Sequence, residues 1–101
     1  MNWMKVCSLD ELKIGSRKVF DWDGAEILLI RNGKGIFAIE NLCSHEDAPL
    51  HDGCIVGNEI ICALHSWRFN IESGSCATSP DFDLPVFQTR VSEDEVWIEF
   101  P

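Results

Sequence analysis

Apolar residues in this chain fall in short runs rich in valine, isoleucine, phenylalanine and tryptophan, and the pattern leaves little room for helix. Eight such runs, at 4–7, 18–22, 26–30, 36–40, 59–63, 68–71, 87–91 and 96–100, are predicted to be strands. Turn-forming pairs separate most of them: Asp23-Gly24, Asn32-Gly33, Asp52-Gly53, Gly57-Asn58 and Ser73-Gly74. One stretch, Ser8-Leu9-Asp10-Glu11-Leu12, reads as a helical turn, with Ser8 as N-cap and Glu11 three residues on. Strands this short and regular predict an all-β domain, a small antiparallel sandwich or open barrel. No repeat, linker or low-complexity segment interrupts the pattern.

The 101 residues read as a single domain, 1–101. A chain of that size buries roughly 60 to 70% of the surface it exposes when unfolded, so it needs no disulfide to fold. Eight Lys and Arg against seventeen Asp and Glu give a formal charge of −9, which argues against nucleic acid as a partner. The first residues, Met1 to Ser8, lack the basic start and apolar core of a secretion signal, and no run is long enough to span a bilayer. The expected location is cytoplasmic, away from any membrane. Thiols there stay reduced, in keeping with five cysteines in no evident disulfide pattern.

The chemistry is concentrated at two places. Cys43-Ser44-His45 is followed, after sixteen intervening residues, by Cys62-Ala63-Leu64-His65. Thiolate and neutral imidazole hold iron-sulfur clusters and zinc, and such short spacings let one tight loop aim both donors at one centre. Spacing alone leaves open a structural zinc site or a coincidence in a cysteine-rich chain. Zinc fingers usually pair cysteine with cysteine and histidine with histidine, whereas the two types alternate here.

The surrounding residues narrow the choice. His45-Glu46-Asp47-Ala48-Pro49-Leu50-His51-Asp52-Gly53 runs through an A-P-L stretch to an acidic-glycine turn. Cys62-Ala63-Leu64-His65-Ser66-Trp67-Arg68-Phe69 keeps a W-x-F after the second histidine, and Pro80 and Pro85 lie in a third, proline-bearing segment. Together these resemble a Rieske-type [2Fe-2S] ferredoxin of the low-potential, soluble, oxygenase-associated kind, over nearly the whole chain. Ala63 stands where the family commonly has proline and Ser66 where it commonly has glycine. The latter departure matters if the backbone at 66 takes a positive φ, which a residue with a Cβ adopts at a cost.

The resemblance implies one 2Fe-2S cluster, with Cys43 and Cys62 on the inner iron and His45 and His65 on the outer, and with Ser66, Trp67 and Pro80 around them. It implies a cluster-binding subdomain of about 41–85 at one end, inserted in a base formed by both termini. Trp67 is expected to cover the cluster rather than conduct through it. Two neutral imidazoles in place of two thiolates favour the added electron, and such centres span roughly −150 to +300 mV against about −400 mV for all-cysteine ferredoxins.

Three features point to the low end of that range. The positions of the disulfide found in high-potential relatives are Ala48 and Leu64, and the hydroxyls those relatives aim at sulfur are replaced by Trp67 and Phe69. Carboxylates at Glu46, Asp47, Asp52, Asp81 and Asp83 flank the loops and oppose an added electron. A Ser66 hydroxyl reaching sulfur would offset part of this.

The expected function is a soluble one-electron carrier, not itself an enzyme, passing electrons from a flavin-containing reductase to a terminal oxygenase or similar acceptor. Two other readings are the small Rieske-like subunit of a larger reductase and a redox component of iron-sulfur assembly. The acidic surface suits basic redox partners, since complementary fields raise association rates roughly 10 to 10³-fold, and equally suits plain solubility. His51 reads as a solvated loop residue, and Cys7, Cys54 and Cys76 as apolar fillers or partly exposed thiols.

Overall fold

The computed structural model describes residues 2–43, 48–64 and 66–100. Among them, strands form three antiparallel sheets. β1 (Asn2–Ser8), β10 (Glu95–Phe100) and β9 (Thr89–Ser92) make the first, in the order β1-β10-β9. β2 (Arg17–Trp22), β3 (Ala25–Asn32), β4 (Gly35–Glu40) and β8 (Val86–Phe87) make the second, in that order. β5 (Cys54–Val56), β6 (Glu59–Ile61) and β7 (Arg68–Asn70) form a short meander. The two ends of the chain are paired with each other from Asn2↔Phe100 to Ser8↔Glu95, with a bulge between Lys5 and Cys7. No helix among the described residues is long and apolar enough to cross a membrane.

The two-residue period of the sequence becomes two cores that share one wall. Along β3, Ile27, Leu28, Leu29 and Ile30 are all buried, and successive side chains leave opposite faces of the sheet. Ile27 and Leu29 pack with Leu12, Ala38, Val96, Ile98 and Phe100. Leu28 and Ile30 instead join Ile39, Leu50, Ile60, Phe69, Ile71 and Leu84, the cluster that also contains Cys43 and Cys62. Each fully buried side chain of this size contributes about 1.5 to 3 kcal/mol relative to leaving it exposed. β3 therefore contributes to both clusters, the one with the chain's paired ends and the one with the candidate cysteines. In the base, Phe100 stacks on Trp22 at 4.1 Å and meets Phe20 edge-on at 6.5 Å.

Several local outcomes depart from the sequence pattern. β5 was not expected, since only Ile55 and Val56 follow Gly53 and Cys54 before the next turn. The run at 87–91 is two strands in two sheets, β8 and β9, broken at Gln88, whose carbonyl accepts from the Glu99 N–H at 2.9 Å. The Thr89 hydroxyl donates to the Ile36 carbonyl at 2.6 Å and pins this crossing from one sheet to the other. The expected helical turn is a 3₁₀ turn, Leu9–Glu11, in which the Glu11 carboxylate accepts from the Ser8 N–H at 3.0 Å.

Candidate metal centre

Both candidate cysteines open a loop that folds back on itself over the same interval. β4 leads through Asn41 and Leu42 to Cys43, whose N–H donates to the Ala48 carbonyl at 2.6 Å. β6 leads directly to Cys62, whose N–H donates to the Trp67 carbonyl at 2.8 Å, one residue before β7 begins. Cys43 is 0% exposed and Cys62 1%, and both belong to one apolar cluster. His45 and His65, with 44–47 as a whole, lie outside the described residues, as do the acidic positions Glu46 and Asp47.

Sulfurs buried together in an apolar cluster can serve as thiolate ligands only to a cationic centre that balances their charge. Two soft sulfur donors entering from twin loops, with one imidazole in the sequence of each, suit a bridged pair of irons. The donor set thus fits a [2Fe-2S] group.

The second loop reverses through Ser66, which has φ +59°. The family's usual glycine is therefore replaced at a position that needs the left-handed conformation. The Ser66 N–H donates to the Cys62 carbonyl at 3.0 Å. Its side chain is exposed. A left-handed non-glycine residue costs about 1 to 2 kcal/mol, and glycine's greater unfolded-state freedom offsets roughly 0.5 to 1 of that. Ser66→Gly is expected to raise stability by about 0.5 to 1 kcal/mol, seen as a higher midpoint in denaturant unfolding. An unchanged or lower midpoint would show that position 66 stores no strain.

The third loop is laid against the second. The Cys76 N–H donates to the Asp83 carboxylate at 2.7 Å, and the Leu84 N–H to the Gly74 carbonyl at 2.8 Å. Between these anchors Pro80 opens a second 3₁₀ turn, Pro80–Phe82, as its fixed φ suits. The Phe82 ring meets the half-buried Trp67 edge-on at 5.2 Å and 81°. Asp52, Asp81 and Asp83 are exposed.

Two residues that the sequence reading passed over hold the trailing leg of loop one. Asn41, buried at 2% exposure, accepts with Oδ1 from the Leu50 and His51 N–H groups at 2.9 and 2.8 Å. Arg17, on β2, donates to the carbonyls of His51 at 2.9 Å and Gly53 at 2.6 Å. An asparagine two residues before a candidate ligand was the available signal, because short amides favour bonding nearby backbone. Nothing local marks Arg17, which lies 34 residues from His51 in sequence.

The remaining cysteines divide by burial. Cys54 is exposed, while Cys7 and Cys76 are buried. Burial, with Glu11 nearby, pushes the Cys7 thiol up from its ordinary value, partly opposed by Lys18.

Residues 2–88 match the family model described as the Rieske [2Fe-2S] domain. The chain is 35% identical over 98 residues to Ferredoxin CarAc of Metapseudomonas resinovorans, covering 95% of this chain and 92% of that protein. Its fold superposes on the ferredoxin of carbazole 1,9a-dioxygenase from Nocardioides aromaticivorans IC177 with a TM-score of 0.87, at 34% identity and 97% coverage of each chain. A structure described as a complex of reduced oxygenase and oxidized ferredoxin in carbazole 1,9a-dioxygenase contains a chain that matches with a TM-score of 0.84 and 34% identity, covering 95% of this chain and 91% of that one.

Proposed function

The chain belongs to the Rieske [2Fe-2S] domain family, and from that premise we propose that Cys43, His45, Cys62 and His65 together hold its one cluster and that the protein carries single electrons from a flavin-containing reductase to a terminal oxygenase. The observation that carries the ligand assignment is the matched closure of two loops that buries Cys43 and Cys62 in one apolar cluster. When bound, the cluster supplies a one-electron couple. The chain is an electron-transfer component and not a catalyst in its own right, as are the ferredoxins it resembles.

The protein's own residues supply burial, orientation and a docking face. The Cys43 and Cys62 amides are committed to closing their loops, which fixes where each sulfur departs from the backbone. Trp67, flanked by Phe82, restricts water at the second loop. Leu64 is 66% exposed and Phe82 36%, and the loop residues Asp52, Asp81 and Asp83 are exposed as well. A partner face with an apolar centre and a basic rim fits such side chains. The subdomain of about 41–85 is the part that carries the ligands, set in a base from both termini. With no cysteine at 48 or 64, and with Trp67 and Phe69 where high-potential relatives carry hydroxyls, the potential belongs at the low end of the Rieske range. Two arguments support a cytoplasmic site of action: free thiols at Cys7, Cys54 and Cys76, and reductants that are available there.

Metal and sulfide analysis of the purified protein tests this reading. Two irons and two acid-labile sulfides per chain, reversible one-electron reduction, and reduction of an oxygenase that slows as salt rises are expected. Colourless protein holding one zinc would overturn it.

A further inference from the structure

All four hydrogen-bonding positions of the Asn41 amide are in use. Because Oδ1 accepts from the N–H groups of Leu50 and His51, the orientation of the amide is settled, and Nδ2 is the atom facing Glu26 Oε1 at 3.2 Å and His51 Nδ1 at 2.9 Å. An amide nitrogen only donates. His51 Nδ1 is therefore the accepting nitrogen of a neutral ring, and the ring proton sits on Nε2, 3.5 Å from Asp52 Oδ1.

We propose that Asn41 is a positioning residue for the electron-transfer site, bracing the loop that starts at Cys43 and holding His51 as the Nε2–H tautomer. The inference rests on the ligand reading given above. Asn41 closes an outer ring, from 41 to 50 and 51, around the inner closure between Cys43 and Ala48. Glu26, on β3, anchors the amide to the strand shared by both cores. The same turn is held from its other side by the Arg17 guanidinium on the His51 and Gly53 carbonyls, and by the Gly53 N–H on the Leu50 carbonyl. Inside the outer ring, Cys43 and Ala48 pair as an isolated antiparallel bridge. Residues that orient a ligand from outside its shell tune potential and spectrum as well as stability.

The test compares Asn41→Ala, Asn41→Asp, and Asn41→Asp combined with Glu26→Gln. The double variant exchanges donor for acceptor and leaves net charge unchanged, whereas Asn41→Asp alone sets two carboxylates against each other. Asn41→Ala is expected to speed hydrogen exchange at Leu50 and His51 by about tenfold or more, the effect of losing one hydrogen bond. It is also expected to shift the midpoint potential and the electron paramagnetic resonance g-values of the reduced protein at unchanged iron content. The double variant keeps the Oδ1 brace and returns hydrogen exchange toward wild type, which Asn41→Asp alone does not; its second carboxylate oxygen can only accept, so the His51 ring proton moves to Nδ1 and the ¹⁵N shifts of His51 read that change.

Faster exchange with unchanged g-values and potential would overturn the proposal and leave Asn41 a scaffold residue. Should Asn41→Ala fail to load iron, the double variant, which keeps the Oδ1 brace, decides: loading with wild-type exchange at Leu50 and His51 supports the proposal, and failure to load overturns it. In the wild-type protein, ¹⁵N shifts of His51 showing the proton on Nδ1 would also overturn it. A wild-type protein lacking a two-iron signal would instead sink the ligand reading, with the tautomer measurement still standing by itself.

Discussion

Cys62→Ser is expected to purify without iron, sulfide or visible absorption, and Cys43→Ser likewise. A serine hydroxyl is a hard, weakly acidic donor where the site offers soft thiolate to iron, and the loops close through the backbone whether or not the sulfur is present. The substitution also buries a hydroxyl at positions with 0% and 1% exposure, a cost of about 1 to 3 kcal/mol when nothing accepts its proton. Cys76→Ser separates the two effects. Cys76 is also buried, at 6% exposure, and belongs to the same apolar cluster. Its sulfur accepts from the Ser79 N–H at 3.3 Å, which a hydroxyl can also do. It lies outside the ligand pattern, so Cys76→Ser keeps full iron content with at most a modest loss of stability. Full iron in Cys62→Ser, or its loss in Cys76→Ser, would remove the ligand assignment.

What the sequence made legible was whatever is encoded locally. Period-two runs located most strands, because alternation is what a half-buried strand must show. The paired cysteine-histidine spacings located the site, because a chelating loop needs its donors close together in sequence. The departure at Ser66 raised a question about φ that only backbone geometry answers, and the answer is +59°. The features that stayed hidden depend on distant neighbours. The run at 87–91 alternates like one strand, yet Gln88 passes it from the β8 pairing with β4 to the β9 pairing with β10. The turn at Glu93 and Asp94 carries no glycine, yet both residues take positive φ, 54° and 62°, because Ser92 and Glu95 pair across a two-residue reversal. Asn41 and Arg17 act through partners 9 to 36 residues away, and composition does not announce such bonds.

Gly74→Ala is expected to be among the most damaging single substitutions in the chain. Gly74 has φ +78°, and a Cβ there would lie 2.2 Å from the Leu84 carbonyl oxygen and 2.9 Å from Val86 Cγ1. The obstructing oxygen is backbone, so no side chain can swing aside. Gly74 also donates its N–H to the Asn70 carbonyl and accepts from the Leu84 N–H, both at 2.8 Å, which fixes the departure of the third loop from β7 and its return toward β8. Backbone strain of about 1 to 2 kcal/mol adds to displacement of Leu84, a member of the apolar cluster that holds Cys43 and Cys62. A loss above about 3 kcal/mol, or failure to fold, is the expected result in denaturant unfolding. Gly57→Ala provides the control: φ is +60° there, but nothing lies within 4 Å of the added Cβ, so the strain alone remains, about 1 kcal/mol. Equal costs at the two positions would show that the approach of Gly74 to Leu84 contributes nothing. The larger cost at Gly74 also carries a functional signature. The segment that it tethers ends in Phe82 against Trp67, so Gly74→Ala protein that does fold should bleach on warming at a lower temperature than Gly57→Ala protein of matched iron content.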